Sequence, residues 1–121
     1  MKFRQIGLRA TDIHRSADFY KLVLGQEPTA IFDPPGFAFF NLEGVRLFLD
    51  VNAPAGLVYL EVADVRTKVE ELRTKGIKIT SEPHVVFPDD GGLFDVPGNE
   101  WLAFFEDSEG NNVGLMSREP K

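Results

Sequence analysis

Two hydrophobic periods succeed each other along the chain, and they do so twice in the same order. Residues 3–10 alternate, with Ile6, Leu8 and Ala10 on one face and Phe3, Gln5, Gly7 and Arg9 on the other, as a half-buried strand requires. A helical stripe follows: Ile13, Ala17, Tyr20 and Leu24, preceded by the capping carboxylate of Asp12 and closed by Gly25. Residues 27–32 and 36–41 predict short strands around the turn Asp33-Pro34-Pro35-Gly36. Residues 45–51 predict a third strand, Val45, Leu47 and Leu49 opposing Arg46, Phe48 and Asp50. Then the order begins again. In 57–62, Val58, Leu60 and Val62 oppose Leu57, Tyr59 and Glu61, and Asp64 caps a helix striped by Val65, Val69 and Leu72 and followed by Gly76. Residues 77–79 start a strand that 82–87 continue at a sheet edge, because Pro83 has no N–H to give a central ladder. Residues 88–99 predict a Gly- and Pro-rich loop, 102–116 a hairpin, and 117–121 a polar tail.

The repetition extends to detail. Ala38-Phe39-Phe40 and Ala103-Phe104-Phe105 each precede a turn containing Glu-Gly and a second apolar strand. The offset between copies is 52 at the capping aspartates and 65 at Ala-Phe-Phe, so the second copy holds about thirteen extra residues within 83–99. The expected organisation is one α+β domain over residues 1–121: module one at about 1–52, a hinge at 52–56, and module two at about 57–117 with its inserted loop at 83–99. Each module is strand, helix, then three strands. One strand face is nearly all aliphatic (Ile6, Leu8, Val45, Leu47, Leu49, Val58, Leu60, Val62, Val113 and Leu115) and should pack on the helices, each buried side chain contributing roughly 1.5–3 kcal/mol.

The opposite face is mixed, carrying Gln5, Arg9, Arg46, Phe48, Asp50, Leu57, Tyr59, Glu61, Asn112, Gly114 and Met116. Such a face is either solvated or lines a wet, partly aromatic pocket. Phe104 joins it, because Glu100 and Glu106 share its side of the strand while Trp101 and Phe105 point the other way. Arg9, Arg46, Asp50 and Glu61 fit either internal salt bridges or recognition of a polar ligand. Phe48 and Tyr59 fit either plain packing or a pocket wall. His84 fits either an exposed edge-strand residue or an acid–base group, with Glu61 as the other candidate for catalysis. His14, off the helix stripe, reads as a surface residue. Leu93 and Phe94 could form a flap over a mouth or part of a dimer seam. The run Asp107-Ser108-Glu109-Gly110-Asn111 reads as a hairpin turn, with Gly and Asn supplying positive φ.

Composition narrows the partners. A net charge of −6 with no basic tract argues against nucleic acid. Without cysteine there is neither a disulfide nor thiolate chemistry, which is compatible with the cytoplasm, the expected location. A strand-like segment after Met1 and the lack of a long apolar run argue against a signal peptide and a membrane partner. Eleven phenylalanines serve either a Phe-rich core or an aromatic-lined cavity. No nucleophile beside a base, phosphate loop or nucleotide fingerprint is present.

Ile6-Gly7-Leu8-Arg9 leading to Asp12, Phe19-Tyr20, Leu24-Gly25, Val58-Tyr59-Leu60-Glu61-Val62 leading to Asp64, Gly76, and 105–111 together resemble the vicinal oxygen chelate superfamily, which includes glyoxalase I, bleomycin-resistance proteins and extradiol dioxygenases. The resemblance runs from end to end. It implies two tandem βαβββ modules curled into a U-shaped, half-open cup with the helices outside, often completed by a second subunit. The mixed face would be the inside of the cup. Metal-dependent members of the superfamily place ligands on the first and last strands of each module, positions that fall on Gln5, near Phe48, on Leu57 and on Gly114. Leucine and glycine side chains cannot ligate, so the resemblance implies neither a metal nor another cofactor. The expected function is metal-free binding of a small organic ligand by a homodimer, with Gln5, Arg9, Arg46, Phe48, Asp50, Leu57, Tyr59, Glu61, His84 and Phe104 around it. The alternative is a glyoxalase-like lyase or isomerase that uses a relocated metal or metal-free acid–base residues.

Overall fold

A computed structural model describes residues 1–120. The chain is α+β: β1 (Gln5–Arg9), α1 (Ile13–Leu24), β2 (Ala30–Phe32), β3 (Phe37–Leu42), β4 (Val45–Asp50), β5 (Leu57–Glu61), α2 (Val65–Thr74), β6 (Ile79–Asp89), β7 (Gly98–Glu106) and β8 (Asn112–Pro120). Two open, mixed, four-stranded sheets result, ordered β1-β4-β3-β2 and β5-β8-β7-β6. In each, the first strand runs parallel to the last strand of its own module, and the remaining pairs are antiparallel. Among the described residues, no helix is long and apolar enough to cross a membrane.

The chain divides into two compact units, residues 1–56 with 107–111, and residues 57–106 with 112–121. In the first, α1 starts where the Asp12 carboxylate accepts the Arg15 N–H and stops at Gly25 in the left-handed region (φ 69°), which costs a glycine nothing. Ile13, Ala17 and Tyr20 of its stripe are buried, with Val23 rather than the expected Leu24 completing it, as are Leu8, Ala38, Phe40, Leu47 and Leu49 of the sheet. In the second, Asp64 caps α2 through the Arg66 N–H, and Val65, Val69 and Leu72 are buried along with Ala103, Phe105, Val113 and Leu115. Ile6 shares the face of Leu8 yet is 39% exposed, since alternation fixes a side chain's face but not how far along the strand the covering layer reaches.

The ends of the elements move from the expected positions. Beta-strand β6 lies at the sheet edge as Pro83 requires, with three register shifts, but it continues to Asp89, and β7 begins at Gly98. Only 90–97 of the expected loop lies outside strands. The polar tail is also strand: β8 runs to Pro120, Glu119 paired with Asn99 and Arg118 with Glu100; Lys121 lies outside the described residues. The cause is ionic. Arg118 donates to Asp89 Oδ2 at 2.6 Å, to Glu100 Oε1 at 2.6 Å and to the Val96 carbonyl, so a polar sequence pays for its ordering with charge-assisted bonds.

The turn 107–111 is far more than a connector. Asp107 accepts from the buried Tyr20 hydroxyl (2.5 Å), from the Glu109 and Asn111 N–H groups, and from Asn111 Nδ2. Glu109, its side chain wholly buried, accepts from Thr11 Oγ1 (2.7 Å), Asp12 N (2.9 Å), Ser108 Oγ (2.8 Å) and two nitrogens of Arg15 (2.7 and 3.0 Å). Asn111 keeps negative φ, contrary to its expected role, and its fully buried amide instead binds the Gly56 N–H and the Arg9 carbonyl. Only Gly110 supplies positive φ in this turn.

Burial alone would push the Glu109 carboxyl up, but the bonds from Arg15, Asp12, Thr11 and Ser108 outweigh it and hold the group at about 2, against an ordinary 4.5. A depressed folded-state value means that its stabilisation is fully present above about pH 4.5 and is lost as pH falls toward 2. Glu109→Gln should therefore lower the unfolding free energy at neutral pH by about 2 kcal/mol, the worth of a charge-assisted hydrogen bond. It should also flatten the acid limb of the stability profile. Urea unfolding at pH 7 and pH 3 checks both effects.

Candidate functional site

The faces of the two sheets away from their buried aliphatic rows hold the candidate residues, and the ladders arrange these in rows across the strands. In the first unit the rows are Gln5–Arg46–Asn41, Gly7–Phe48–Phe39–Ala30 and Arg9–Asp50–Phe37–Phe32. Phe48 stacks on Phe39 with ring centroids 4.8 Å apart and planes 5° from parallel; Phe37 meets Phe48 edge-on at 5.1 Å, and Phe32 meets Phe39 at 6.3 Å. Phe32, Phe37, Phe39 and Phe48 thus form one wall, and the neighbour of Phe48 on β1 is Gly7. At one end a cavity of about 440 Å³ is lined by Arg4, Thr29, Phe39, Asn41 and Arg46.

In the second unit the rows are Leu57–Asn112–Glu106, Tyr59–Gly114–Phe104–Ser81 and Glu61–Met116–Leu102–His84. Tyr59 and Phe104 meet edge-on at 5.8 Å directly across Gly114. A Cβ on Gly114 would lie 2.6 Å from Tyr59 Cδ2, so the glycine is what allows the rings to close over the strand between them. The same row position holds Gly7–Phe48–Phe39 in module one, with glycine and aromatic exchanged between first and last strands. A second cavity, of about 460 Å³, is lined by Glu61, Met116, Glu100, Arg118, Asp95 and Phe94. Loop residue Phe94 is held there by structure. Buried Asp89 accepts the Leu93 N–H at 2.7 Å and the Phe94 N–H at 3.1 Å. Burial alone would raise the Asp89 carboxyl, but Arg118 and those two amides bring it down to about 2.

The two candidate catalytic residues do not come together. Glu61 and His84 occupy one row but on the outermost strands, three strand spacings or roughly 14 Å apart. His84 Nδ1 instead lies 2.8 Å from the Glu82 carbonyl oxygen on an exposed edge. The internal salt bridges expected of Arg9, Arg46, Asp50 and Glu61 do not form among the described residues; Asp50 accepts the Asn52 N–H. His14, expected at the surface, is exposed and lies 3.2 Å from Asp33. Arg4, Thr29 and Asn41 escaped the sequence reading. Arg4 precedes the first strand, Thr29 precedes β2, and Asn41 lay at the end of an expected strand whose partner was not known.

The family profile described as Glyoxalase/Bleomycin resistance protein/Dioxygenase superfamily matches residues 2–115. The chain belongs to this superfamily. Among solved structures, a glyoxalase/bleomycin resistance protein/dioxygenase from Nocardioides superposes with a TM-score of 0.73 at 22% identity, over 98% of this chain and 84% of that one. Lactoylglutathione lyase from Agrobacterium tumefaciens gives a TM-score of 0.74 at 19% identity, over 95% and 92% of the two chains. A superfamily member from Sphaerobacter thermophilus gives 0.73 at 20% identity, over 96% of each. At these identities the likeness is one of fold. No curated protein sequence matches.

Within this superfamily fold, the positions where metal-dependent members carry ligands do not suit a cation. The ladders put Phe48 opposite Gly7 and Gly114 opposite Tyr59, the same place in each module; one position is a stacked ring, and rings cover the other. Leu57 offers no donor, which leaves Gln5 alone. Among the described residues, no three of His, Asp and Glu gather elsewhere. Because Tyr59 crowds the space above Gly114, Gly114→Ala should cost about 1–3 kcal/mol as overpacking. In a Tyr59→Ala background the same change should be neutral or stabilising, since alanine suits a strand interior better than glycine. Thermal unfolding of the four proteins in this cycle decides it.

Proposed function

We propose that this superfamily member is a small-molecule-binding protein that works without a catalytic metal, holding an organic ligand against its aromatic open faces. The observation that carries this reading is the aromatic cover at two positions where metal-dependent members carry ligands: Phe48 itself, stacked on Phe39, and Gly114, over which Tyr59 and Phe104 close. Rings of this kind offer area and a polarisable face to apolar or aromatic molecules and nothing to a divalent cation. Tyr59 and Leu57 are each 49% exposed on this face, where a ligand can reach them. Polar contacts to the ligand would come from Gln5, Arg9, Arg46, Asp50 and Glu61.

The working form is a homodimer in the cytoplasm. Support for a second copy lies in β6 and its loop: the strand is a sheet edge, and Val85, Val86, Phe87, Leu93, Phe94 and Val96 are all exposed.

Equilibrium dialysis of chelator-stripped protein against zinc, nickel, manganese and iron should leave no stoichiometric metal. The neutral fluorescent probe N-phenyl-1-naphthylamine should bind, and Phe48→Ala or Tyr59→Ala should weaken it about tenfold with folding retained. One metal bound per chain, or probe binding indifferent to both substitutions, would overturn the reading. The metal result would favour a lyase or isomerase instead.

A further inference from the structure

We infer that the cavity at the Arg4–Arg46 end of the first unit's open face holds the charged end of an organic anion. This deepens the reading above and rests on it, since it assumes that the Phe39–Phe48 wall takes the apolar body of a ligand. The chain carries 19 acidic and 13 basic residues, yet the lining of this cavity contains two arginines and no acid. Four of the seven arginines, Arg15, Arg66, Arg73 and Arg118, sit on carboxylates. Arg46 does not. Among the described residues its guanidinium has neither an ion pair nor a hydrogen bond; Arg4 and Arg9 also lack an ion pair, and of these Arg4 lies in the same lining.

The other polar groups of the lining are donors as well. The Arg46 N–H bonds to the Arg4 carbonyl at 2.8 Å, so the two residues run side by side. Arg4 commits one guanidinium N–H to the Gly44 carbonyl at 3.1 Å and keeps the rest. The Asn41 side-chain oxygen is taken by the Gly44 N–H at 3.0 Å, which leaves its amide NH₂ to donate. The Thr29 hydroxyl can donate too. Two guanidinium groups, an amide NH₂ and a hydroxyl line the cavity together, a set rich in donors and without a carboxylate to neutralise its charge. A carboxylate or other oxyanion satisfies it, and the planar guanidinium binds such groups in bidentate fashion.

Phe39 settles the rest of the ligand. It lines the same cavity and continues through its stack on Phe48 into the phenylalanine wall. A neutral apolar ligand would desolvate the guanidinium groups without pairing them, which is unfavourable. An inorganic anion would leave the wall unused. An oxyanion attached to an apolar or aromatic body uses both, and about 440 Å³ is room enough for one the size of benzoate.

The probes are benzoate and benzyl alcohol, of similar shape and different charge, titrated by amide chemical shifts. Benzoate should bind about tenfold more tightly than the alcohol, the worth of one charge-assisted contact. Arg46→Gln should erase that difference and Arg46→Lys should restore part of it, while the alcohol's affinity stays as it was. Equal affinity for the two probes, no binding of benzoate, or an advantage for benzoate that survives Arg46→Gln would overturn the inference. N-phenyl-1-naphthylamine binding retained alongside equal affinities would mean that the small-molecule reading stands and only the anion assignment fails. Loss of that probe's binding from wild-type protein would instead remove the reading itself.

Discussion

The burial of Glu109 is the constraint on which the first unit depends. A carboxylate taken out of water without compensation costs more than a small domain can spare, so its five hydrogen bonds are a condition of its being there at all. Four of them come from 94 to 98 residues earlier in the chain, at the start of α1, and the fifth from the neighbouring Ser108. Asp107 repeats the device one turn position away, where Tyr20 brings its hydroxyl from the middle of the same helix. The Tyr20 phenol is itself held well above its ordinary value, by burial first and by the Asp107 charge second, so it remains a donor. Helix α1, the end of β1 through the Arg9 carbonyl, and the Gly56 N–H all meet this one turn. Asp107 N also bonds to the Asn111 carbonyl, closing the turn whose flanking pair, Glu106 and Asn112, begins the β7–β8 ladder. One pentapeptide therefore satisfies the polar centre of the first unit.

The two modules show how far a repeat can diverge while its fold is kept. In module one the hairpin between β3 and β4 closes in two residues, Glu43 and Gly44, both at positive φ, with Asn41 binding the Gly44 N–H in the open. The equivalent hairpin of module two needs five residues and buries three of them. The open faces diverge in the same way. Glycine on the first strand with phenylalanine on the last becomes tyrosine on the first with glycine on the last, and in module two the glycine leaves room for Tyr59 and Phe104 to meet across the strand.

Most of the fold was legible in the sequence because its signals are local. Asp12, Gly25 and Asp64 mark helix ends through bonds made within a few residues, and strict alternation fixes which face of a strand is buried, including the placement of Phe104 opposite Phe105. Long-range polar pairing left no such trace. Asp107-Ser108-Glu109-Gly110-Asn111 has the composition of an exposed turn, and nothing within it announces Arg15 or Tyr20 as partners. Arg118 likewise reads as a tail residue until Asp89 and Glu100 are seen beside it. The site was legible to the same degree: the face was, the pairing was not. Alternation put Arg9, Arg46, Asp50 and Glu61 on the mixed faces, but only coordinates separate an arginine with a carboxylate from one without.

That separation carries the chemical argument. Arg4, Arg9 and Arg46 are the three arginines without a carboxylate among the described residues, and two of them, Arg4 and Arg46, line one cavity beside Phe39. Arg66 and Arg73 show the ordinary outcome, each reaching carboxylates along its helix and beyond it. Arg46 points into a lining of donors instead, in the row that continues Gln5 and Asn41. On the reading proposed above, the rings take the body of a ligand and the guanidinium groups of Arg4 and Arg46 take its oxygens, while Gln5, the one donor at the positions that metal-dependent members of the superfamily use, cannot hold a cation alone.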